Sequence, residues 1–65
     1  MSNRKFFAEN PTIEKEFIKR LKRGDTPIEL VEYLKTTKYP GSLIPSTISA
    51  FVQSTYPKEN IQLLL

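Results

Sequence analysis

The sequence feature that most constrains this fold is a helix end followed at once by a helix start, at residues 23–29. Gly24 follows a basic stretch with helical periodicity, and glycine takes the left-handed conformation that ends helices at little steric cost. Thr26 and Glu29 then have the spacing of a capping box, with Pro27 at the first helical position. The sequence therefore predicts two helices that meet at a sharp corner.

Three segments have the spacing of apolar residues that is typical of amphipathic helices. The first is predicted from about residue 11 to residue 23, after Asn10 or Thr12 as a polar cap. The second runs from Pro27 to residue 35 or 37, and the third from residue 45 or 46 to residue 54 or 55. The residues predicted to face the core are Ile13, Phe17, Ile18 and Leu21 in the first helix, Ile28, Val31 and Leu34 in the second with Leu30 and Tyr33 beside them, and Ile48, Phe51 and Val52 in the third.

Residues 1–10 show no helical period and are predicted to form a basic N-terminal arm, followed by a single small helical domain over residues 11–65. Phe6 and Phe7 are expected to anchor this arm on the helical body, or to contact a partner. Arg4 and Lys5 would then stay free, as in arms that enter a DNA minor groove.

The C-terminal segment from Pro57 onward begins like a short fourth helix, with its apolar residues on one face. An apolar face of this kind is normally buried against another protein surface. The helix therefore either closes the core or pairs with a copy of itself, or the 65 residues are the N-terminal part of a longer protein. The fold class expected from these elements is all-α, a compact three-helix bundle with a short C-terminal fourth helix.

Composition argues against several classes of function. The chain lacks cysteine and histidine, so it has no disulfide, none of the usual zinc ligands and no histidine general base. The acidic residues fall on predicted solvent faces or helix starts, and we expect a non-enzyme that needs no metal, cofactor or small-molecule substrate. No apolar run approaches the roughly 18 residues of a membrane span, and no apolar signal core is present. We therefore expect an intracellular protein without a membrane partner.

The net charge of +3 arises entirely in the first 25 residues, which hold seven basic and four acidic residues. A basic segment suits an anionic partner such as nucleic acid. Alternatively, the cations at residues 19–23 simply complement the negative end of a helix. Lys15 and Lys19, with Glu16 and Arg20, are predicted to form a solvated face whatever the function.

The outer face of the third predicted helix is small, polar and uncharged. Serine and threonine are poor helix formers, and contact with a ligand would explain their presence here. Short hydroxyls allow close approach to phosphates or base edges, and Gln53 can form two hydrogen bonds to adenine. The alternative is a helix buried on two sides, against its neighbours or a second subunit. The residues of this face are Ser46, Thr47, Ser49, Ala50, Gln53 and Ser54.

Two segments resemble the helix-turn-helix DNA-binding domains of transposases, recombinases and phage small terminase subunits. Residues 23–31 resemble the basic-Gly-x-Thr/Ser-x-x-Glu-Ile-Ala segment of those families, and residues 45–48 resemble their Ser-x-Thr-Ile start of the recognition helix. The resemblance covers about residues 12–55. It implies a helix-turn-helix-like bundle whose second helix crosses the DNA backbone and whose third helix enters the major groove.

Carried over by position, the resemblance implies that Ser46, Thr47, Ser49, Ala50 and Gln53 face bases and nearby phosphates. Thr26, Lys38 and Tyr39 would touch the DNA backbone. Charge adds further candidates for phosphate contact, namely Arg4, Lys5, Lys22 and Arg23.

Two hypotheses for function follow. The first is a helix-turn-helix module that binds DNA as a homodimer or within a larger assembly, because the outer face of the third helix carries no Arg or Lys and a single copy should bind weakly. The second is a non-enzymatic protein-interaction module. Its candidate contacts are Phe6, Phe7, Ile61, Leu64 and Leu65.

Overall fold

The computed structural model describes residues 3–59, and this part of the chain contains four helices and no strand. The helices are α1 (Asn3–Glu9), α2 (Pro11–Lys22), α3 (Pro27–Leu34) and α4 (Pro45–Thr55). The all-α fold class is confirmed. Helices α2, α3 and α4 match the three helices predicted from sequence. The predicted C-terminal helix lies outside the described residues, apart from a turn at residues 57–59.

The predicted corner between α2 and α3 is present in full. Gly24 has a φ of 90°, and its N–H donates to the Leu21 carbonyl while the Asp25 N–H donates to the Arg20 carbonyl. These two bonds make a Schellman motif. At the start of α3, the Glu29 N–H donates to Thr26 Oγ1 at 3.2 Å and the Thr26 N–H donates to Glu29 Oε1 at 2.8 Å. The capping box is therefore confirmed.

Helix α3 ends at Leu34, one residue before the earlier of the two predicted ends. The hydroxyl of Thr36 donates to the Tyr33 carbonyl, and that of Thr37 donates to the Leu34 carbonyl. The same two carbonyls also accept the backbone N–H groups of Thr36 and Thr37. The threonine hydroxyls therefore reinforce the tight turns that follow α3.

The sequence predicts an arm without helical period at the N-terminus, but residues 3–9 form α1 and pack on α2. Phe7 is fully buried at the centre of an aromatic cluster, with its ring centroid 4.9 Å from that of Phe17 and 5.8 Å from that of Phe51. Two adjacent phenylalanines in a seven-residue helix give no helical period, so packing and not a local pattern stabilises α1.

Asn10 lies at the junction of α1 and α2, but its side chain does not cap α2 as the sequence predicts. Its amide Nδ2 instead donates to the Phe6 carbonyl at 2.8 Å. The Asn10 carbonyl accepts from the Glu14 N–H at 3.0 Å and so begins α2. One residue therefore ends one helix and starts the next.

A single hydrophobic core draws on all four helices. Most of the residues predicted to face inward do so, but Ile28 is 64% exposed, which corrects the predicted stripe of α3. Leu30, Val31 and Leu34 fall in one sector of about 100° on a helix that turns about 100° per residue, and Ile28 lies outside this sector. The buried core consists of Phe7, Phe17, Leu21, Leu30, Val31, Leu34, Tyr39, Ile48, Val52 and Tyr56.

Candidate nucleic-acid interface

The outer face of α4 is exposed, as the sequence predicts. Ile48 and Val52 are buried against the rest of the core. At about 100° per residue, Ser46, Ala50 and Gln53 lie within a sector of about 60° roughly opposite Ile48, and all three are exposed. This placement shows that α1, α2 and α3 do not cover α4 on both sides.

The other predicted residues of this face lie at its edges. Thr47 and Ser49 fall about 100° to either side of Ile48, so they flank the outer sector from opposite sides. Thr47 is exposed and Ser49 is half-buried. A ligand seated on the outer sector would therefore meet Ser46, Ala50 and Gln53 first.

The Gln53 side chain is oriented by its own helix. Its Nε2 donates to Ser49 Oγ at 3.3 Å. This bond uses one of the two amide protons, so the second proton and the carbonyl oxygen stay available. A donor and an acceptor side by side match the N7 acceptor and N6 donor that adenine presents in the major groove.

Two arginines of the basic segment are engaged within the fold. Arg20 pairs with Glu16 at 2.9 Å and lies 3.8 Å from Asp25, with its guanidinium 4.4 Å from the centroid of the Tyr33 ring. Arg23 binds the buried Asp25 carboxylate through both Nε and Nη2. The hydrogen bond to Asp25 raises the pKa of Arg23. Arg23 therefore clamps the corner, and its Nη1 group remains for a phosphate.

The remaining predicted cations are exposed and form no ion pair with any described residue. Lys22 lies in the last turn of α2, and Lys38 lies in the turn after α3. Arg4 and Lys5 lie on α1 and are not carried on an extended arm as predicted. Lys22 lies beside the α2–α3 corner, and Lys38 lies in the segment that leads to α4. These two lysines are therefore the best-placed candidates for phosphate contact.

Tyr39 and Phe7 are not available at the surface. This corrects the predictions that Tyr39 contacts the DNA backbone and that Phe7 contacts a partner. Tyr39 is only 8% exposed and packs on the rings of Phe6 and Phe7, with centroids 5.6 and 5.8 Å away. Burial raises the pKa of Tyr39. Phe6 is only partly buried. Thr26 is exposed, but its hydroxyl already accepts from Glu29 in the capping box.

The Tyr39 hydroxyl is buried without a hydrogen-bond partner among the described residues. A buried hydroxyl that lacks a partner costs about 1–3 kcal/mol of desolvation. We therefore expect Tyr39→Phe to raise the free energy of unfolding by about 1 kcal/mol, measured by urea unfolding followed by circular dichroism. Tyr56→Phe, which removes a bonded hydroxyl, serves as the opposite control and should destabilise. A decrease in stability in Tyr39→Phe would show that its hydroxyl is satisfied.

Tyr56 fixes the end of α4 to α2, a contact that sequence reasoning missed. Its hydroxyl donates to Glu14 Oε2 at 2.9 Å, across 42 positions of the chain. Burial and this hydrogen bond raise the pKa of Tyr56. No local sequence pattern predicts this contact, because Glu14 looks like any other acidic residue in the first turn of a helix.

No group of acidic side chains within residues 3–59 is arranged to hold a metal ion. None of the helices in this part of the chain has the length and apolar character needed to cross a membrane. Comparisons with protein-family models, with curated proteins and with solved structures find no significant match to this chain.

Proposed function

We propose that this chain is a small helix-turn-helix DNA-binding module in which α4 reads the major groove. The observation that carries the proposal is the outer face of α4, which is exposed, uncharged and formed by short side chains around an oriented glutamine. Lys22, Lys38 and the free edge of Arg23 supply phosphate contacts. A DNA ligand would also place the protein inside a cell.

The position of α4 in the fold supports this role. The helix packs on α3, which starts directly after the capped corner, and the Tyr56–Glu14 bond ties its end to α2. A reader helix must be held rigidly, because base contacts depend on side-chain geometry. The uncharged face gives little affinity by itself, so we propose that the module acts as a dimer or within a larger assembly.

The proposal is tested by an NMR titration of labelled protein with a mixed-sequence DNA duplex, at low and then at moderate salt. We expect shifts on residues 45–54 and at Arg23 and Lys38 that shrink as salt rises. Gln53→Ala should weaken binding to an adenine-containing duplex about tenfold, because alanine cannot form the two hydrogen bonds to the base. Ser42→Ala removes an exposed hydroxyl outside α4 and serves as the matched control, with no expected change.

Two outcomes contradict this proposal. The first is an absence of shifts on α4 at low salt, and the second is a Gln53→Ala variant that binds every duplex as the unchanged protein does. Either result would show that α4 does not read DNA.

A protein-interaction module is the second candidate, and the exposure of two large apolar residues favours it. Ile28 and Ile44 are 64% and 57% exposed at the starts of α3 and α4. In this second hypothesis they replace Phe7 as candidate partner contacts, because Phe7 is buried in the core. If α4 shows no shift with DNA while sedimentation shows self-association that Ile28→Ser and Ile44→Ser abolish, this second function is supported.

A further inference from the structure

Three lysines lie along one exposed side of α2, and we call this set the lysine stripe. Lys15, Lys19 and Lys22 are all exposed. At about 100° per residue they fall within one sector of about 60°. The sequence predicts that Lys15 and Lys19 share a mixed, solvated face with Glu16 and Arg20. In the structure, Glu16 and Arg20 of this face pair with each other at 2.9 Å, and the lysines take no part in that pair.

The acidic residues of α2 are already bonded to residues outside the stripe. Glu14 accepts from the Tyr56 hydroxyl at 2.9 Å, and Glu16 pairs with Arg20 at 2.9 Å. Each lies about 100° around the helix from Lys15, on opposite sides. The three lysines form no ion pair with a described residue.

The helix dipole explains only part of this arrangement. Lys19 and Lys22 lie in the last turns of α2, where cations stabilise a helix. Lys15 lies near the middle, beyond the reach of that effect. Lys15 and Lys19 are spaced i,i+4, and like charges at this spacing destabilise a helix. An anionic ligand that lies along the stripe would offset this repulsion.

We propose that the lysine stripe is a second, sequence-independent contact surface for the phosphate backbone of duplex DNA. This inference rests on the proposed function in taking DNA as the ligand. The stripe spans about 10 Å along the helix axis at a rise of about 1.5 Å per residue. That length suits about two phosphates of one strand, because successive phosphates turn around the DNA and lie farther apart than the axial rise of about 3.4 Å per nucleotide. The stripe supplies the charge neutralisation that the outer face of α4 lacks.

The test compares two variants that each remove two positive charges. Lys15→Gln with Lys19→Gln removes the part of the stripe that has no place in the proposed α4 interface. Lys35→Gln with Lys58→Gln is the control, because it changes net charge equally and lies off α2. Fluorescence anisotropy with a mixed-sequence duplex gives the dependence of affinity on salt, and circular dichroism confirms that both variants fold.

We expect the slope of log affinity against log salt to fall by about 1.8 in the stripe variant, because each phosphate that a lysine neutralises adds about 0.9 to the slope. Affinity at low salt should fall roughly tenfold for every duplex sequence. The control variant should keep the slope of the unchanged protein. This pattern would support the stripe even if α4 shows no shift by NMR, in which case only the reader role of α4 fails.

Three results would overturn the inference. An equal decrease of slope in both variants would show an effect of bulk charge alone. If neither variant changes the slope and DNA still binds, the lysine stripe is not a DNA contact, and the proposed α4 interface is unaffected. If the unchanged protein does not bind duplex DNA at low salt, both proposals are wrong. This holds also if the protein binds anionic phospholipid vesicles instead.

Discussion

Replacing Phe7 with alanine is expected to lower the free energy of unfolding by about 3–5 kcal/mol. The Phe7 side chain is fully buried and its ring contacts those of Phe17, Tyr39, Phe51 and Tyr56. A domain of this size rarely has more than about 3–5 kcal/mol of stability. The variant should therefore be largely unfolded at room temperature, as measured by circular dichroism and urea unfolding.

Phe6→Ala is the matched control for this experiment. Phe6 is the neighbouring residue of the same type, but it is only partly buried and its ring contacts those of Phe7 and Tyr39. We expect a smaller decrease, about 1–2 kcal/mol, in proportion to the apolar surface that Phe6 removes from water. Equal effects of the two changes, or a Phe7→Ala variant as stable as the unchanged protein, would show that α1 is not part of the core.

Asp25→Asn is expected to cost about 2 kcal/mol of stability, the second largest effect that the structure indicates. The Asp25 carboxylate is only 6% exposed. It accepts two hydrogen bonds from Arg23, and Arg20 Nη1 lies 3.8 Å away. The amide keeps the shape of the side chain but removes its charge and one acceptor. Because the Arg23 side chain is 54% exposed, solvent screening limits the effect.

Glu32→Gln makes the same chemical change at an exposed ion pair and serves as the control. Glu32 and Lys35 are 3.6 Å apart with both side chains more than half exposed, so the expected cost is below about 0.5 kcal/mol. Thermal unfolding of both variants at the same salt concentration measures the difference. Similar small costs for both would show that the buried carboxylate does not clamp the corner.

The exposure of the outer face of α4 follows from the spacing of its apolar residues. Ile48 and Val52 direct one side of the helix inward, and Ser46, Ala50 and Gln53 must then point outward. Which cations remain free does not follow in this way. The Schellman motif places the Asp25 carboxylate where Arg23 and Arg20 both reach it, and Tyr56 binds Glu14 from another helix. Charge counting alone would have treated these residues as equivalent to Lys22 and Lys38.

The sequence by itself determined the corner at Gly24, the capping box of Thr26 and Glu29, and the approximate bounds of α2, α3 and α4. These features depend on hydrogen bonds and apolar spacings within a few residues, which a sequence shows directly. Only the tertiary structure decided that residues 3–9 are helical and that Tyr39 is buried while Ile28 is exposed. These outcomes depend on which surfaces meet across the core, and the free energy of such packing belongs to contacts between residues distant in sequence.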